Sequence, residues 1–480
     1  MILGNLEPSR VFYYFEEISA IPRGSGNTEK IKKYLTDFAV SHDLEYITDE
    51  TGNVLIRKPA FRGYEKSKGV IIQGHMDMVC ISRADKVVDF ENEGITVCTD
   101  GETIWADGTS LGADNGIAIA YALAILESDD IPHPPIEALF TTDEETGLLG
   151  ASAFDVSLLS GTKLINIDSE IEGCLTVGCA GGLRCTARII PETEDAVGEA
   201  MKISVKGLSG GHSGIEIDKG KENSIKLLGR ILFHLSDRFE INLASINGGL
   251  RENAIPSEAE TEIYIDKLYA DSFLTEFHHY TEELKKELKV TEPNLSILLT
   301  GCKPHKKMFT RSFTEKFIFL IYHCPNGIIK MNPLLSGNVQ TSLNLGILSY
   351  NDDGITMRFS LRSSVANEKE ELKQKLKSFM EYLGADAEFT AEYPAWEYRK
   401  DSVLRDTAIE AYRKIYRESP EIMTLHAGLE CGVFAGKNPN LDCISFGPDL
   451  KDVHSPDECM TVSSVSRTWR FLLEILKLSR

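Results

Sequence analysis

At 480 residues the chain is too long for one hydrophobic core, and its 42% hydrophobic content is that of an ordinary globular protein, so two or three domains are expected. A formal net charge of -22 argues against nucleic acid and anionic membrane as partners, because both reward a basic face. The start, Met1-Ile-Leu-Gly-Asn-Leu-Glu-Pro8, lacks a basic region followed by a long apolar run, no later run approaches the ~18 apolar residues of a membrane span, and the ten cysteines form no C-x-x-C pair; reduced thiols and a cytoplasmic setting are expected.

The first hundred residues alternate helix and strand patterns. Apolar spacing predicts amphipathic helices over 10–21 and 28–40, then short strands over 44–48 and 53–58 flanking the turn Thr51-Gly52. Gly69-Val-Ile-Ile-Gln-Gly74 reads as a buried strand that ends in His75-Met-Asp77. A second strand, Ile136-Glu-Ala-Leu-Phe-Thr-Thr142, runs into Asp143-Glu-Glu145, and a third, Lys163-Leu-Ile-Asn-Ile167, ends in Asp168. Three strands therefore deliver His or acid at their carboxyl ends, the edge where open α/β sheets bind ligands. Between the first two lies Leu111-Gly-Ala-Asp-Asn-Gly116, followed by a small-residue helix suited to burial. Taken alone, Asp114 or Asn115 would be no more than the N-cap of that helix.

Near residue 186 the rhythm becomes α+β, with strands over 201–205 and 260–265, helices over 222–236, 270–288 and 312–323, a strand pair over 339–349 and 355–362, and a charged helix over 368–383. Charge runs such as Glu282-Glu-Leu-Lys-Lys-Glu287 carry i,i+4 pairs and read as solvated helix faces. From Asp401 the α/β style returns, with a helix to Tyr416, another near Glu430, the strand Asp442-Cys-Ile-Ser-Phe446, a loop bearing His454 and a closing helix over 462–478. The simplest division is a catalytic domain of residues 1–186 and 397–480, interrupted by an inserted body of residues 187–396 that is long enough for two lobes.

Adjacent carboxylates such as Glu144 and Glu145 are costly to desolvate unless a cation or a shared proton compensates them. The strand-end groups are His75, Asp77, Asp114, Glu144, Glu145, Asp168 and His454. No nucleophile elbow of the G-x-S-x-G type is present, and the Gly-rich stretch Gly207-Leu-Ser-Gly-Gly-His-Ser-Gly214 lacks the Gly-Lys-Ser/Thr ending of a phosphate loop. Imidazole with carboxylate, and no thiolate, suits Zn, Co or Mn at an open catalytic site. Two metals sharing a bridging carboxylate would use most of these groups, leaving one acid to orient a ligand histidine and one to act as base.

The motifs Gly74-His-Met-Asp-Met-Val79, Leu111-Gly-Ala-Asp-Asn-Gly116, Phe140-Thr-Thr-Asp-Glu-Glu-Thr-Gly147, Asn166-Ile-Asp168, Gly178-Cys-Ala-Gly-Gly182 and His454-Ser-Pro456 together resemble the co-catalytic di-zinc metallopeptidases that include carboxypeptidase G, aminoacylases and bacterial dipeptidases. The match is nearest to the aminoacyl-histidine (Xaa-His) dipeptidase subfamily. The resemblance implies a zinc-peptidase-like α/β catalytic domain with a mixed central sheet and an α+β lid. It makes His75 and Asp168 ligands of one metal, Glu145 and His454 ligands of the other, and Asp114 the bridge. Asp77 would hold the His75 ring, and Glu144 would be the general base acting on a water between the metals.

The same resemblance points to His212 in the lid as the donor to the oxyanion, and to Asn253 and Arg362 as substrate-holding positions. Leu425-His-Ala-Gly-Leu-Glu-Cys-Gly432 departs from the wider family's Gly-Gly-Thr-like loop, and Glu430 in it is expected to bind the free amino group of a dipeptide. The function expected is hydrolysis of small unblocked dipeptides, carnosine-like Xaa-His among them. The alternatives are an N-acyl-amino-acid amidohydrolase and a non-catalytic peptide- or metal-binding relative. A homodimer is left open.

Overall fold

The computed structural model describes residues 2–480. The chain divides into two compact units. One comprises Met1–Cys179, Trp396–Thr424 and Gly428–Arg480; the other comprises Ala180–Ala395 with Leu425–Ala427.

The first unit is built on an eight-stranded mixed sheet. Its order is Glu45–Thr48, Val54–Lys58, Ile136–Thr141, Val70–His75, Lys163–Asn166, Asp442–Ser445, Cys174–Cys179 and Glu421–Leu425. The neighbours Ile136–Thr141, Val70–His75, Lys163–Asn166 and Asp442–Ser445 are mutually parallel, so their carboxyl ends share one edge. Val70–His75 and Ile136–Thr141 are buried at every residue, as parallel strands covered on both faces must be. The helix Ala113–Glu127 packs against the Val70–His75 strand and against the helix Ser9–Ser19. It is apolar all round, which is the composition of a helix with no solvent face. The Ser9–Ser19 helix buries Val11, Phe12, Phe15 and Ile18, one stripe at helical spacing.

A smaller four-stranded sheet of Leu450–Lys451, Cys459–Thr461, Thr103–Ala106 and Val97–Thr99 holds both ends of the loop that carries His454. Within this loop His454 has φ +59. A left-handed backbone at a residue with a Cβ persists only where surrounding structure enforces it, and such positions cluster at functional sites.

In the second unit, a nine-stranded sheet runs from Ser296–Gly301 through Glu199–Lys206, Ala259–Ile265, Ile241–Gly248, Val339–Asn351, Gly354–Ser363 and Gly181–Ile189 to Asp386–Tyr393, with Gly327–Met331 also pairing Val339–Asn351. The helices Ser224–Ser236, Arg311–His323 and Ala366–Tyr382 pack on it through one continuous apolar cluster. The charge runs lie on exposed helix faces, with pairs such as Lys285–Glu282 and Lys375–Glu371, and exposed pairs of this kind add little stability. The units change at residue 180, a few residues earlier than composition suggested, because the strand Gly181–Ile189 already belongs to the second sheet. Among the described residues, no helix is long and apolar enough to cross a membrane.

Candidate metal centre

The parallel strands deliver their charged residues to one edge of the first unit's sheet. His75 ends Val70–His75; Glu144 and Glu145 follow Ile136–Thr141, and Asp168 follows Lys163–Asn166. Asp114 lies in the first turn of Ala113–Glu127, where its backbone is non-helical. His75 Nε2 is 3.1 Å from Asp114 Oδ1 and 3.7 Å from Asp168 Oδ1. His454 Nε2 is 3.1 Å from Asp114 Oδ2 and 2.9 Å from Glu145 Oε1. The two oxygens of Asp114 thus face two different histidines. His75, Asp114 and Asp168 form one group whose ligand atoms all lie within 4.8 Å of one another, and Asp114, Glu145 and His454 form a second. Asp114 is common to both.

The electrostatics show what this arrangement lacks. Burial works against the His75 imidazolium, but the carboxylates of Asp114, Asp168 and Asp77 outweigh it and hold its pKa well above the usual range. Hydrogen bonds to Asp114 and Glu145 raise His454 to about 11. Burial, together with the negative charges of Asp114 and Glu145, pushes Asp168 up to about 7 in spite of His75. Burial does the same to Glu144, carrying its carboxyl well above the ordinary range, with Asp168, Glu430 and Glu145 adding to it against the pull of His75. Carboxylates packed this closely are short of positive charge even with both imidazoles protonated. An open set of imidazole and carboxylate donors fits divalent cations of the Zn, Co or Mn type.

Asp77 is fully buried and does more than hold a ring. His75 Nδ1 donates to the Asp77 backbone carbonyl at 3.1 Å, with the Asp77 carboxylate at 3.5 Å. This leaves Nε2 to face Asp114 and Asp168. The carboxylate accepts from the backbone N–H groups of Glu144 at 3.0 Å and Glu145 at 3.3 Å, and from Ser25 Oγ at 2.8 Å. One side chain therefore ties the ligand histidine to the segment that carries the acid pair.

Several supporting residues carried no sequence signal. Glu458, 2% exposed, accepts from the backbone N–H groups of Leu111, Gly112, Ala113 and Asp114 at 2.8–3.3 Å. It fixes the amino-terminal turn from which Asp114 projects. Its only clue was its place four residues after His454. Arg23 is also buried, and it donates to the carbonyls of Met76, Asp77 and Gly112. Asn115 Oδ1 accepts the His75 N–H at 3.1 Å; a methyl on Gly74 would fall 2.4 Å from that oxygen, so the glycine before the ligand histidine is a matter of space.

Glu430, expected at the amino group of a dipeptide, lies under the strand ends. Its side chain is fully buried, with Oε2 accepting from Thr141 Oγ1 at 2.7 Å and from Gln73 Nε2, while Gln73 Oε1 in turn accepts from Asn166 at 2.7 Å. Gln73, Thr141 and Asn166 belong to the strands that end in the cage, so Glu430 braces those strands from within. Its other oxygen, Oε1, is buried without a hydrogen-bond partner. Burial pushes its pKa up to about 7 despite His75 and these hydrogen bonds.

The second unit gathers the remaining predicted residues. His212 Nδ1 accepts from the N–H groups of Gly214 at 3.3 Å and Ile215 at 3.1 Å. The neutral ring then carries its proton on Nε2. Ser213 N donates to the carbonyl of Asn253 at 2.9 Å, and the Asn253 residue itself is exposed. Arg362 is 8% exposed. A methyl added at Gly214 would lie 3.0 Å from His212 Cε1 and 3.2 Å from Arg362 Cζ, so these two side chains meet around that glycine.

A mixed α/β sheet with a His/carboxylate cage at the carboxyl edge of its parallel strands is the architecture of a metallohydrolase. Residues 71–478 match the model of peptidase family M20/M25/M40, and the chain belongs to that family of peptide-bond hydrolases. It is 37% identical over 477 residues to the cytosol non-specific dipeptidase of Escherichia coli (strain K12), covering 99% of this chain and 98% of that one. Its fold is similar to that of the aminoacylhistidine dipeptidase from Vibrio alginolyticus, with TM-score 0.92, 36% identity and coverage of 99% and 97% of the two chains. Aminopeptidase PepT from Bacillus cereus shares the fold at TM-score 0.57 and 17% identity, over 99% of this chain and 100% of that one.

Proposed function

We propose that the chain is a metal-dependent dipeptidase that hydrolyses small unblocked dipeptides, Xaa-His among them, in the cytoplasm. The observation that carries this reading is the pair of donor groups sharing Asp114. The two relatives support the substrate class, since one is named a non-specific dipeptidase and the other an aminoacylhistidine dipeptidase.

Two divalent cations of the Zn, Co or Mn type would be held by His75, Asp114 and Asp168 and by Asp114, Glu145 and His454; bound there, they would lower the pKa of a water and polarise the scissile carbonyl. Glu144 is the general base. It forms a third group of possible ligand atoms with His75 and Glu145, outside the two groups that share Asp114, and its segment is fixed by Asp77. It takes a proton from the attacking water and delivers it to the departing amine. His212, with its proton on Nε2, is the candidate donor to the developing oxyanion, in its own chain or in a partner subunit. Arg362 binds the substrate carboxylate, where a planar guanidinium makes two parallel hydrogen bonds, and Asn253 offers a further polar contact.

The test is hydrolysis of a dipeptide and of its N-acetylated form by protein stripped with a chelator and then reloaded with Zn, Co or Mn. Cleavage of the free dipeptide that disappears on stripping and returns on reloading is expected. Preference for the N-acetylated form would favour an amidohydrolase, and absence of any metal-restored turnover would sink the enzymatic reading.

A further inference from the structure

Four residues of the second unit stand in one row across its sheet. Tyr393 pairs with Gly182, Gly182 with Arg362, and Arg362 with Ser342. Residues directly opposite one another in antiparallel strands point to the same face. The guanidinium of Arg362 is therefore flanked by a position with no side chain and a position with a short hydroxyl, and both flanks are filled from further away. A methyl at Gly182 would fall 2.2 Å from the Tyr393 ring, so the bare glycine is the slot in which that ring lies. Through the slot the Tyr393 hydroxyl reaches Arg362 and accepts from Nη1 at 3.2 Å. On the other flank, His426 Nε2 meets Ser342 Oγ at 2.7 Å.

The cluster also holds polar atoms that the protein itself does not satisfy. Arg362 Nε, His426 Nδ1 and Ser213 Oγ are buried without a hydrogen-bond partner, in residues 8%, 8% and 1% exposed. A methyl on Gly214 would lie 2.5 Å from the His426 carbonyl oxygen and 3.2 Å from Arg362 Cζ, so the His426 main chain and the Arg362 guanidinium meet at that glycine, next to Ser213. Buried polar atoms left unmet are costly, and the unmet Nε–H of the guanidinium itself marks a position for an acceptor. His426 adds no second charge. Burial first, and then Arg362, pull its pKa down to about 3. A single positive charge matches a carboxylate better than a dianionic phosphate.

We infer that Tyr393 and His426 are positioning residues, which hold the Arg362 guanidinium in one orientation as the receptor for the free carboxyl end of a peptide. This rests on the dipeptidase reading and on Arg362 as its carboxylate clamp.

The test uses the metal-loaded full chain, a dipeptide and the same dipeptide as its carboxyl-terminal amide. The wild type should show a KM about tenfold or more higher for the amide. Tyr393→Phe, which removes one oxygen atom and leaves the ring in its slot, should raise KM for the free acid about tenfold, with kcat within about threefold and the amide's KM unchanged. His426→Ala should do the same, and His426→Gln, which keeps an amide within reach of Ser342, should recover most of the loss. Calorimetric binding of the dipeptide to Glu144→Gln protein, with and without Tyr393→Phe, reads the same tenfold weakening without turnover. Equal KM changes for acid and amide, or unchanged KM and unchanged binding in Tyr393→Phe, would overturn the inference. If the wild type hydrolyses neither substrate, the dipeptidase reading fails while the binding comparison still decides the roles of Tyr393 and His426.

Discussion

Glu144 and Glu145 are neighbours in sequence, both held by backbone hydrogen bonds to the same Asp77 carboxylate, yet their side chains face different company. Glu145 meets His454 and Asp114; Glu144 belongs to neither donor group that shares Asp114 and lies instead with His75 and Glu145 in a third. On the proposed mechanism, replacing Glu144 by Gln removes the proton acceptor while keeping its shape. Turnover should fall by roughly 10²–10⁴ with metal content unchanged by elemental analysis; a protein that loses its metal, or one of near-normal rate, would refute the assignment. His426 supports a prediction about stability. Its folded pKa of about 3 lies below the ordinary histidine value. Arg362 and His212 disfavour the imidazolium, while Asp218 and the Val339 backbone favour it without prevailing. The unfolded chain therefore takes up the proton first as pH falls. The stability this group contributes is complete above about pH 6.5 and declines toward pH 3, by about 2 kcal/mol at pH 5. Denaturant unfolding at pH 7 and pH 5 should show a smaller difference in His426→Gln than in the wild type.

At the scale of elements, the amino-terminal turn of the helix Ala113–Glu127 depends on a residue remote in sequence. Four backbone N–H groups end on Glu458, and they have no helical partner of their own. Glu458→Ala would strand several buried donors at once, at about 1–3 kcal/mol each. The denaturant midpoint should drop sharply and metal affinity should weaken, because Asp114 projects from that turn. Glu458→Gln keeps one acceptor oxygen and should lose about half as much; an unchanged midpoint in Glu458→Ala would rule the role out. The strands that bear His75, the acid pair and Asp168 were legible as apolar runs ending in charge, because a parallel strand covered on both faces has little choice of composition. Glu458 was not legible, since the acid pair Asp457-Glu458 after a proline reads as an ordinary polar loop, and its partners lie some 345 residues away in the chain. The setting of Glu430 was hidden for a related reason: its motif gave the residue type, but only the folded sheet shows that Gln73 and Thr141 bond to it.

For the whole molecule, the cage concentrates carboxylates in a chain whose formal net charge is already -22. A cation bound there and absent from the unfolded state stabilises by mass action, about 2.7 kcal/mol at a free concentration one hundred times Kd. Chelation should therefore lower the thermal midpoint as well as abolish turnover, and returning Zn, Co or Mn should restore both. A midpoint that ignores chelation would argue against the cage as a metal site.

The order of strand, charged strand end and buried helix was written in the residues, as was the family to which the chain belongs, because apolar periodicity and the ligand motifs are local. Their convergence was not local. Four parallel neighbours aligned the ends of segments separated by up to several hundred residues, the two oxygens of Asp114 faced two histidines, and the row Tyr393, Gly182, Arg362 and Ser342 formed across four strands. Register between strands is set by hydrogen bonds and by packing of the pleated faces. No single strand's sequence contains that information, and so tertiary structure alone decided which acids share the cage, which lies buried beneath it, and which glycine is a slot for another residue's ring.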